Sequence, residues 1–195
     1  MKVVVATGNR GKLGEFAALL APLGVQLAPQ SAFGIESPPE TGTTFLENAL
    51  IKARHAARLA QLPALADDSG LEVDALDGAP GVYSARYAGE TADAGANTAK
   101  LLAALRDVPY EKRSARFRAT IVLVFSPDDL SPVIGEGVWE GRIALVPRGQ
   151  GGFGYDPVFE PLGGAGTAAE LAPADKNAVS HRGAALHALV ARWPR

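Results

Sequence analysis

The spacing of apolar residues at the start of the chain predicts a strand, a turn, a helix and a second strand. Residues 3–6 form an unbroken apolar run, which predicts a buried strand. Helical spacing follows at Leu13, Phe16, Ala17 and Leu20. Pro22 and Gly24 end that helix, and residues 25–27 predict a short second strand. This order of elements is typical of α/β architecture.

A second helix is predicted from its cap, its apolar stripe and its terminator. It follows a loop at residues 28–42, and Thr43 or Thr44 caps it with Glu47 in the first turn. The stripe consists of Phe45, Ala49, Ala53, Ala56 and Ala60, and Pro63 ends the segment. Residues 64–66 then predict a strand that runs into an acidic turn at residues 67–70, and the segment 71–76 follows that turn.

The second half of the chain predicts a hairpin among loops and helices. Residues 119–125 are uninterrupted apolar, so the strand at 115–125 is predicted to be central and buried on both faces. Residues 133–143 alternate in polarity and predict its hairpin partner. The remaining predictions are a glycine-rich loop at 77–95, a helix at 97–105, a turn at 149–154 and helical pieces at 167–171 and 181–193.

Composition narrows the class of protein. The 195 residues, 47% hydrophobic and 21% charged, suit one globular domain over residues 1–195 with room for two lobes. The formal net charge of −2 disfavours an extended nucleic-acid interface. There is no cysteine, which excludes disulfides and thiolate chemistry. No apolar run is long enough for a signal peptide or a membrane span, so we expect a cytoplasmic protein with no membrane partner.

The first candidate for chemistry is the segment from Thr7 through Gly8, Asn9, Arg10 and Gly11 to Lys12. It lies where a predicted strand passes into a helix, and free backbone N–H groups at a helix start favour an anion. Lys12 adds a charge that can reach a phosphate oxygen. The spacing matches neither the nucleotide-kinase loop nor the dinucleotide fingerprint. A tight turn with a surface lysine is an equally good interpretation of this segment alone.

The second candidate is a set of carboxylates: Glu40, Asp67, Asp68, Glu72, Asp74 and Asp77. Adjacent carboxylates need a cation or hydrogen-bond donors. Mg²⁺ takes one or two of them together with waters and substrate phosphates. In an extended chain Asp67 and Asp68 point to opposite faces, so only one of them need line a binding site. A solvated acidic turn is the alternative.

Two further motifs could recognise a base. Phe153, Gly154, Tyr155 and Asp156 lie among glycines, and an aromatic ring can stack on a base while a carboxylate accepts from its edge. Lys176 and the pair His181 and Arg182 follow, with Ser180 as a candidate N-cap. Cations in a first helical turn are unfavourable for the helix dipole, which suggests placement for a ligand. The histidine spacing does not predict a zinc site.

Taken together and in order, these motifs resemble the inosine triphosphate pyrophosphatase family. The matching stretches are residues 6–12, 40–42, 45–49, 52–53, 66–71, 78–86, 152–157, 167–171, 176–177 and 180–183. The resemblance runs nearly end to end and implies an elongated two-lobed α/β domain, with a mixed twisted sheet flanked by helices and a central nucleotide-binding cleft. It also implies a homodimer and hydrolysis of ITP, dITP and XTP to the monophosphate and pyrophosphate.

The resemblance also implies roles for individual residues. Glu40 and Asp68 would bind Mg²⁺, and Asp68 would accept the proton of the attacking water, a role in which Asp67 could share. Residues 7–12 and Lys52 would contact the triphosphate, with Arg86 a looser match. Ser69 would contact the substrate, and the base pocket would comprise Phe153, Gly154, Tyr155, Asp156, Lys176, His181 and Arg182. The alternatives are a pyrophosphatase for modified pyrimidine nucleotides, as in the related septum-inhibitor-like proteins, a non-catalytic nucleotide sensor and a nucleic-acid-binding module.

Overall fold

A computed structural model describes residues 1–8 and 10–193. In these residues the strands are β1 (Lys2–Val5), β2 (Gln26–Pro29), β3 (Ala64–Val73), β4 (Ser114–Val124), β5 (Val133–Ile143) and β6 (Phe159–Pro161). The α-helices are α1 (Arg10–Leu20), α2 (Phe45–Ala60), α3 (Ala94–Ala104), α4 (Pro173–Val179) and α5 (His181–Ala191). None of these described helices is both long and apolar enough to cross a membrane.

The strands form one mixed sheet in the order β2-β1-β3-β4-β5-β6. β1 runs parallel to both β2 and β3, whereas β5 and β6 are antiparallel. The predicted α/β class with a mixed sheet is therefore confirmed. The chain also divides into two compact units, of which unit 1 contains residues 1–68, 119–137 and 182–195, and unit 2 contains residues 69–118 and 138–181. The predicted cleft and the single functional domain stay predictions.

Unit 1 contains two groups of buried apolar residues. One joins β1 to α1 and α5, with Val3, Phe16 and Leu186 among its members. The other lies beneath α2, whose buried alanines at positions 49, 53, 56 and 57 pack with residues of β1, β3 and β4. Thr44 begins α2 with a capping box, in which its hydroxyl accepts from the Glu47 N–H while the Glu47 carboxylate accepts from the Thr44 N–H. The small alanine stripe lets α2 lie close to the sheet, so its polar side chains start from fixed backbone positions.

Unit 2 has an aromatic core. Phe117 from β4, Trp139 from β5 and Phe159 from β6 are buried together with Leu101 of α3. The Phe117 and Phe159 ring centroids are 4.5 Å apart, at an interplanar angle of 55°. Rigid ring contacts of this kind hold the three strands in register and supply a firm base for side chains at the sheet surface.

One prediction about local structure was wrong, and two short elements were missed. The acidic segment at residues 67–70 is not a turn, because β3 continues through it without a break. The short elements α4 and β6 were not predicted at all. α4 has seven residues and begins at Pro173, and β6 has three residues, so neither is long enough to display a period of apolar positions.

Candidate active site

β3 places two adjacent buried carboxylates against two different lysines. Lys12 Nζ donates to Asp67 Oδ2 at 2.7 Å, and Lys52 Nζ donates to Asp68 Oδ1 at 2.8 Å. Lys12 comes from α1 and Lys52 from α2, so both partners are far from β3 in sequence. This arrangement agrees with the prediction that neighbouring strand positions face opposite ways. It also explains why a strand tolerates two consecutive aspartates.

Asp67 is held as an anion. Burial by itself would raise its pKa, but the positive charges of Lys12, Arg182 and Lys52 outweigh burial and lower the pKa to about 2. Arg182 Nε, from the first turn of α5, lies 3.7 Å from Asp67 Oδ2. A carboxylate so strongly paired with cations is a weak proton acceptor, and its main effect is to fix those cations in place.

Lys52 links Asp68 to Glu40. Its Nζ also donates to Glu40 Oε1 at 2.8 Å, so one buried ammonium lies between two carboxylates. Burial raises the pKa of Asp68, the Lys52 charge only partly opposes this, and the negative charges of Glu40 and Asp67 add to the rise. Burial would lower the pKa of Lys52, but the neighbouring carboxylates, Asp68 foremost, raise it instead.

The carboxylate oxygens of this site could supply some, but not all, of the ligands of a divalent cation. Asp67 Oδ1 and Asp68 Oδ2 are buried and have no hydrogen-bond partner among the described residues. Within residues 1–8 and 10–193 no group of three or more His, Asp or Glu side chains is arranged to hold a metal ion alone. Mg²⁺ does not require such a group, because one or two carboxylates, waters and substrate phosphates complete its coordination. Glu40 and Asp68, already joined by a cation, match that donor chemistry.

The structure describes only part of the predicted phosphate-binding segment at residues 7–12, called here the phosphate loop. Thr7 and Gly8 lie between β1 and α1, and Asn9 lies outside the described residues. Arg10 and Gly11 form the start of α1, where the structure describes the backbone and not their side chains. We define Lys12, Glu40, Lys52, Asp67, Asp68 and Arg182 as the lysine–carboxylate cluster. All six belong to unit 1.

The other carboxylates of the predicted acidic set belong to unit 2. Asp74 and Glu72 pair with Arg116, whose Nη1 lies 2.9 Å from Asp74 Oδ1 and 3.8 Å from Glu72 Oε2. Asp77 occupies a left-handed turn position with φ of 51°. Arg86 lies in a short 3₁₀ helix and stacks over the Tyr83 ring at 5.3 Å. Ser69 lies on β3 directly after Asp68 and is half-buried.

A second cluster in unit 2 joins the predicted base-recognition residues. Lys176 Nζ donates to Asp156 Oδ2, which also accepts the Phe153 N–H at 2.7 Å. The same ammonium lies 5.0 Å from the centroid of the Phe153 ring. Asp156 is only 2% exposed, so it orients Lys176 and the Phe153 backbone. Tyr155 donates its hydroxyl to the Ser84 carbonyl at 2.8 Å, which fixes the turn that includes Gly154.

His181 is stacked on the aromatic core of unit 2. Its ring lies 4.8 Å from the Phe117 ring at an interplanar angle of 14°, and 6.4 Å from the Trp139 ring at 19°. The imidazole is 3% exposed. We define Phe153, Tyr155, Asp156, Lys176 and His181 as the aromatic–lysine cluster. Sequence reasoning missed the support from Phe117 and Trp139, although their position on two predicted neighbouring strands was a usable signal.

Comparisons with known proteins agree with one another. A model of the Ham1 family matches residues 3–192. A dITP/XTP pyrophosphatase of Xanthomonas campestris pv. campestris (strain 8004) is 60% identical over 188 residues, which cover 96% of this chain and 94% of that protein. Its namesake in Vibrio cholerae serotype O1 is 54% identical over the same shares. A HAM1 protein from Coxiella burnetii superposes with a TM-score of 0.93 at 49% identity over 98% of both chains.

Proposed function

This chain belongs to the Ham1 family, and from that premise we propose that it hydrolyses ITP, dITP and XTP to the nucleoside monophosphate and pyrophosphate. Several relatives that share more than half of its residues are named dITP/XTP pyrophosphatase. The observation that carries the proposal is the lysine–carboxylate cluster, in which two buried aspartates are paired with separate lysines and each keeps one oxygen without a partner among the described residues. Such a cluster can bind phosphate charge and activate water at one place.

In this proposal the lysine–carboxylate cluster binds the triphosphate. Lys12 and Lys52 neutralise charge on the phosphate oxygens, as do the N–H groups at the start of α1. Thr7, Gly8, Asn9, Arg10 and Gly11 complete the phosphate loop, and Ser69 is a further substrate contact. Glu40 and Asp68 would hold Mg²⁺, which would supply positive charge to the phosphate oxygens.

Asp68 is the proposed proton acceptor. Water attacks the α-phosphorus, its proton passes to Asp68, and the bond to the oxygen that bridges to the β-phosphate breaks with release of pyrophosphate. The raised pKa of Asp68 and the free Oδ2 support this assignment. Asp67 is less suitable because its pKa is about 2 and it accepts from Lys12. Its proposed task is to position Lys12 and Arg182.

The aromatic–lysine cluster is the proposed base site. The Phe153 ring offers a face for stacking, and Lys176 has further N–H donors beyond the one that Asp156 accepts. Hypoxanthine and xanthine present a 6-oxo group to such a donor, whereas the 6-amino group of adenine would leave it unpaired, which lowers the rate by orders of magnitude. Gly154 and Tyr155 shape the turn, and His181 and Arg182 complete the set of predicted contacts.

A substrate panel tests the proposal. Purified protein with Mg²⁺ is incubated separately with ITP, XTP, dITP, ATP, GTP and a modified pyrimidine triphosphate, and the products are separated by chromatography. We expect monophosphate and pyrophosphate from ITP, dITP and XTP, far faster than from ATP or GTP. The 6-oxo contact accounts only for the difference from ATP, since guanine carries the same group and its rejection must come from the 2-position. Preference for the pyrimidine would favour the septum-inhibitor-like alternative, diphosphate and phosphate would place the attack on another phosphorus, and no turnover at all would favour a nucleotide sensor.

A pair of carboxamide substitutions tests the role of Asp68. Asp68→Asn should abolish turnover, because the neutral amide cannot accept the proton and is a weaker ligand for the cation than a carboxylate, while the circular dichroism spectrum stays that of the wild type. Asp74→Asn is the matched control, since Asp74 pairs with Arg116 at 2.9 Å and is outside the cluster. An active Asp68→Asn enzyme would refute the assignment.

The quaternary state and location are proposed from the family resemblance. We propose a homodimer that works in the cytoplasm without nucleic-acid or membrane partners. The net charge of −2 supports the lack of a nucleic-acid partner. Size-exclusion chromatography with light scattering measures the mass directly, and a peak at the mass of one 20.2 kDa chain would contradict the dimer.

A further inference from the structure

Two buried asparagines in this fold differ in how completely their amides are bonded. Asn97 on α3 is satisfied at both ends, because its Oδ1 accepts the Ala88 N–H at 2.7 Å and its Nδ2 donates to the Ala85 carbonyl at 3.0 Å. Asn48 on α2 is fully buried, yet only its Oδ1 has a partner, the Gly42 N–H at 2.8 Å. Its Nδ2 has no acceptor among the described residues.

The orientation of the Asn48 amide follows from its one hydrogen bond. A backbone N–H can only donate, so the oxygen must face Gly42 and the NH₂ group must point away from it. Buried donors without an acceptor are rare in folded proteins, and those that occur are explained by strain, by a functional role or by a water or ion that completes them. The Asn48 amide therefore presents two N–H bonds toward an acceptor that the described residues do not supply.

Asn48 shares its surroundings with the lysine–carboxylate cluster. It precedes Lys52 by one turn of α2, so both buried side chains start from the same face of the helix. Together they hold one short segment, since Asn48 bonds Gly42 while Lys52 bonds Glu40. The approach is so close that a Cβ at Gly42 would lie 2.7 Å from Asn48 Oδ1. The amide whose Nδ2 lacks an acceptor among the described residues is therefore hydrogen-bonded to the segment that carries Glu40.

We propose that Asn48 is a further substrate-binding residue of this enzyme, with two functions in one amide. Its Oδ1 fixes the Glu40–Gly42 segment, and its Nδ2 donates a hydrogen bond to an oxygen of the bound triphosphate. An acceptor near the Lys52 ammonium is favoured if it carries negative charge, and a phosphate oxygen of the proposed substrate meets that condition. This inference rests on the proposed nucleotide hydrolysis and gives a role to a residue for which the family resemblance implied none.

Asn48→Asp separates the two functions. The aspartate retains an oxygen for the Gly42 N–H but replaces the NH₂ donor with a second acceptor that repels phosphate. Because Asn48 is fully buried, the new carboxylate should lower the unfolding temperature. We also expect a KM for ITP raised about 10- to 100-fold for the folded protein, as for the loss of a hydrogen bond to a charged group. Asn97→Asp is the control: it breaks the bond to the Ala85 carbonyl, so it should lower the unfolding temperature and leave KM unchanged.

The outcomes separate this inference from the proposed function. A wild type that hydrolyses ITP, with Asn48→Asp at the wild-type KM, would mean that a buried water satisfies Nδ2 and would overturn the inference alone. A wild type without ITP hydrolysis would overturn both proposals. If Asn48→Asp does not fold, Asn48→Ser removes the amide while keeping a small polar group, and the same KM comparison decides.

Discussion

Lys52 is the residue at which stability and function are most closely joined. Its Nζ lies 2.8 Å from both Glu40 Oε1 and Asp68 Oδ1. Lys52→Met keeps most of the apolar side chain and removes the ammonium with its charge, which leaves two carboxylates with their oxygens at most about 5.6 Å apart. At an effective dielectric constant of about 20, two such charges repel by about 3 kcal/mol. Breaking a buried ion pair by removing one partner costs about 3–5 kcal/mol in measured cases, so both estimates agree.

Urea unfolding followed by circular dichroism measures this loss. At pH 8 in EDTA we expect Lys52→Met to be about 3–5 kcal/mol less stable than the wild type, or about 6–20 °C lower in unfolding temperature for a chain of this size. Without the ammonium the pKa of Asp68 rises further, because burial and the Glu40 charge are then unopposed by Lys52. A carboxyl with a raised folded pKa destabilises the fold above that pKa, so the deficit should shrink as the pH falls from 8 to 5.

Two controls decide whether charge is the cause. Lys52→Arg keeps a cation and should lose much less stability than Lys52→Met. Mg²⁺ should stabilise Lys52→Met more than the wild type, since a divalent cation can take the place of the lost ammonium between Glu40 and Asp68. The electrostatic reasoning is refuted if Lys52→Met is as stable as the wild type at pH 8, or if Lys52→Arg loses as much as Lys52→Met.

Four further substitutions probe the stability of the fold. Gly135→Ala should lower the free energy of unfolding by about 3 kcal/mol or more, because the added Cβ would lie 2.1 Å from a backbone oxygen of α5. At Gly14 an added Cβ meets nothing within 4 Å, so Gly14→Ala should raise that free energy by about 0.5–1 kcal/mol. Thermal unfolding ranks the two variants, and equal effects would contradict the reasoning. Thr44→Ala removes the cap of α2 and should lower stability by about 1 kcal/mol in the same assay. Asp67 has a folded pKa of about 2 against an ordinary value of 3.8, so its ionised form stabilises the fold by about 2 kcal/mol above pH 4, and this contribution is lost as the pH falls toward 2. The wild type should therefore lose more stability than Asp67→Asn between pH 5 and pH 2. Parallel stability curves for the two proteins would count against that pKa.

Local signals predicted the regular elements well. The alternating segment at 133–143 became β5 with the same bounds, and the Thr44 and Glu47 pair became the capping box of α2. The second strand was predicted one residue early and two residues short. Pro29 ends it, which suits β2 because it lies at the edge of the sheet, where a strand tolerates a residue without an N–H.

The acidic segment could not be predicted correctly from local sequence. Consecutive aspartates read as a solvated turn because isolated charges avoid burial. Asp67 becomes compatible with a strand only through Lys12, which is 55 residues away, and Asp68 only through Lys52. Tertiary contacts therefore reversed the local preference. The family resemblance named every member of both clusters in advance, but it did not reveal that the buried Asp156 accepts from Lys176 or that His181 stacks on Phe117.

The discontinuous make-up of unit 1 has a consequence for how the protein is made. Its first hydrophobic group combines Val3 and Phe16 near the amino terminus with Ala185, Leu186 and Leu189 near the other end of the chain. During synthesis on the ribosome, that group stays incomplete until α5 has emerged, so the apolar side chains of β1 and α1 remain exposed until then. Arg182 reaches Asp67 at the same moment. We therefore expect a nascent chain truncated before α5 to be held by chaperones, and its lysine–carboxylate cluster to assemble only after release.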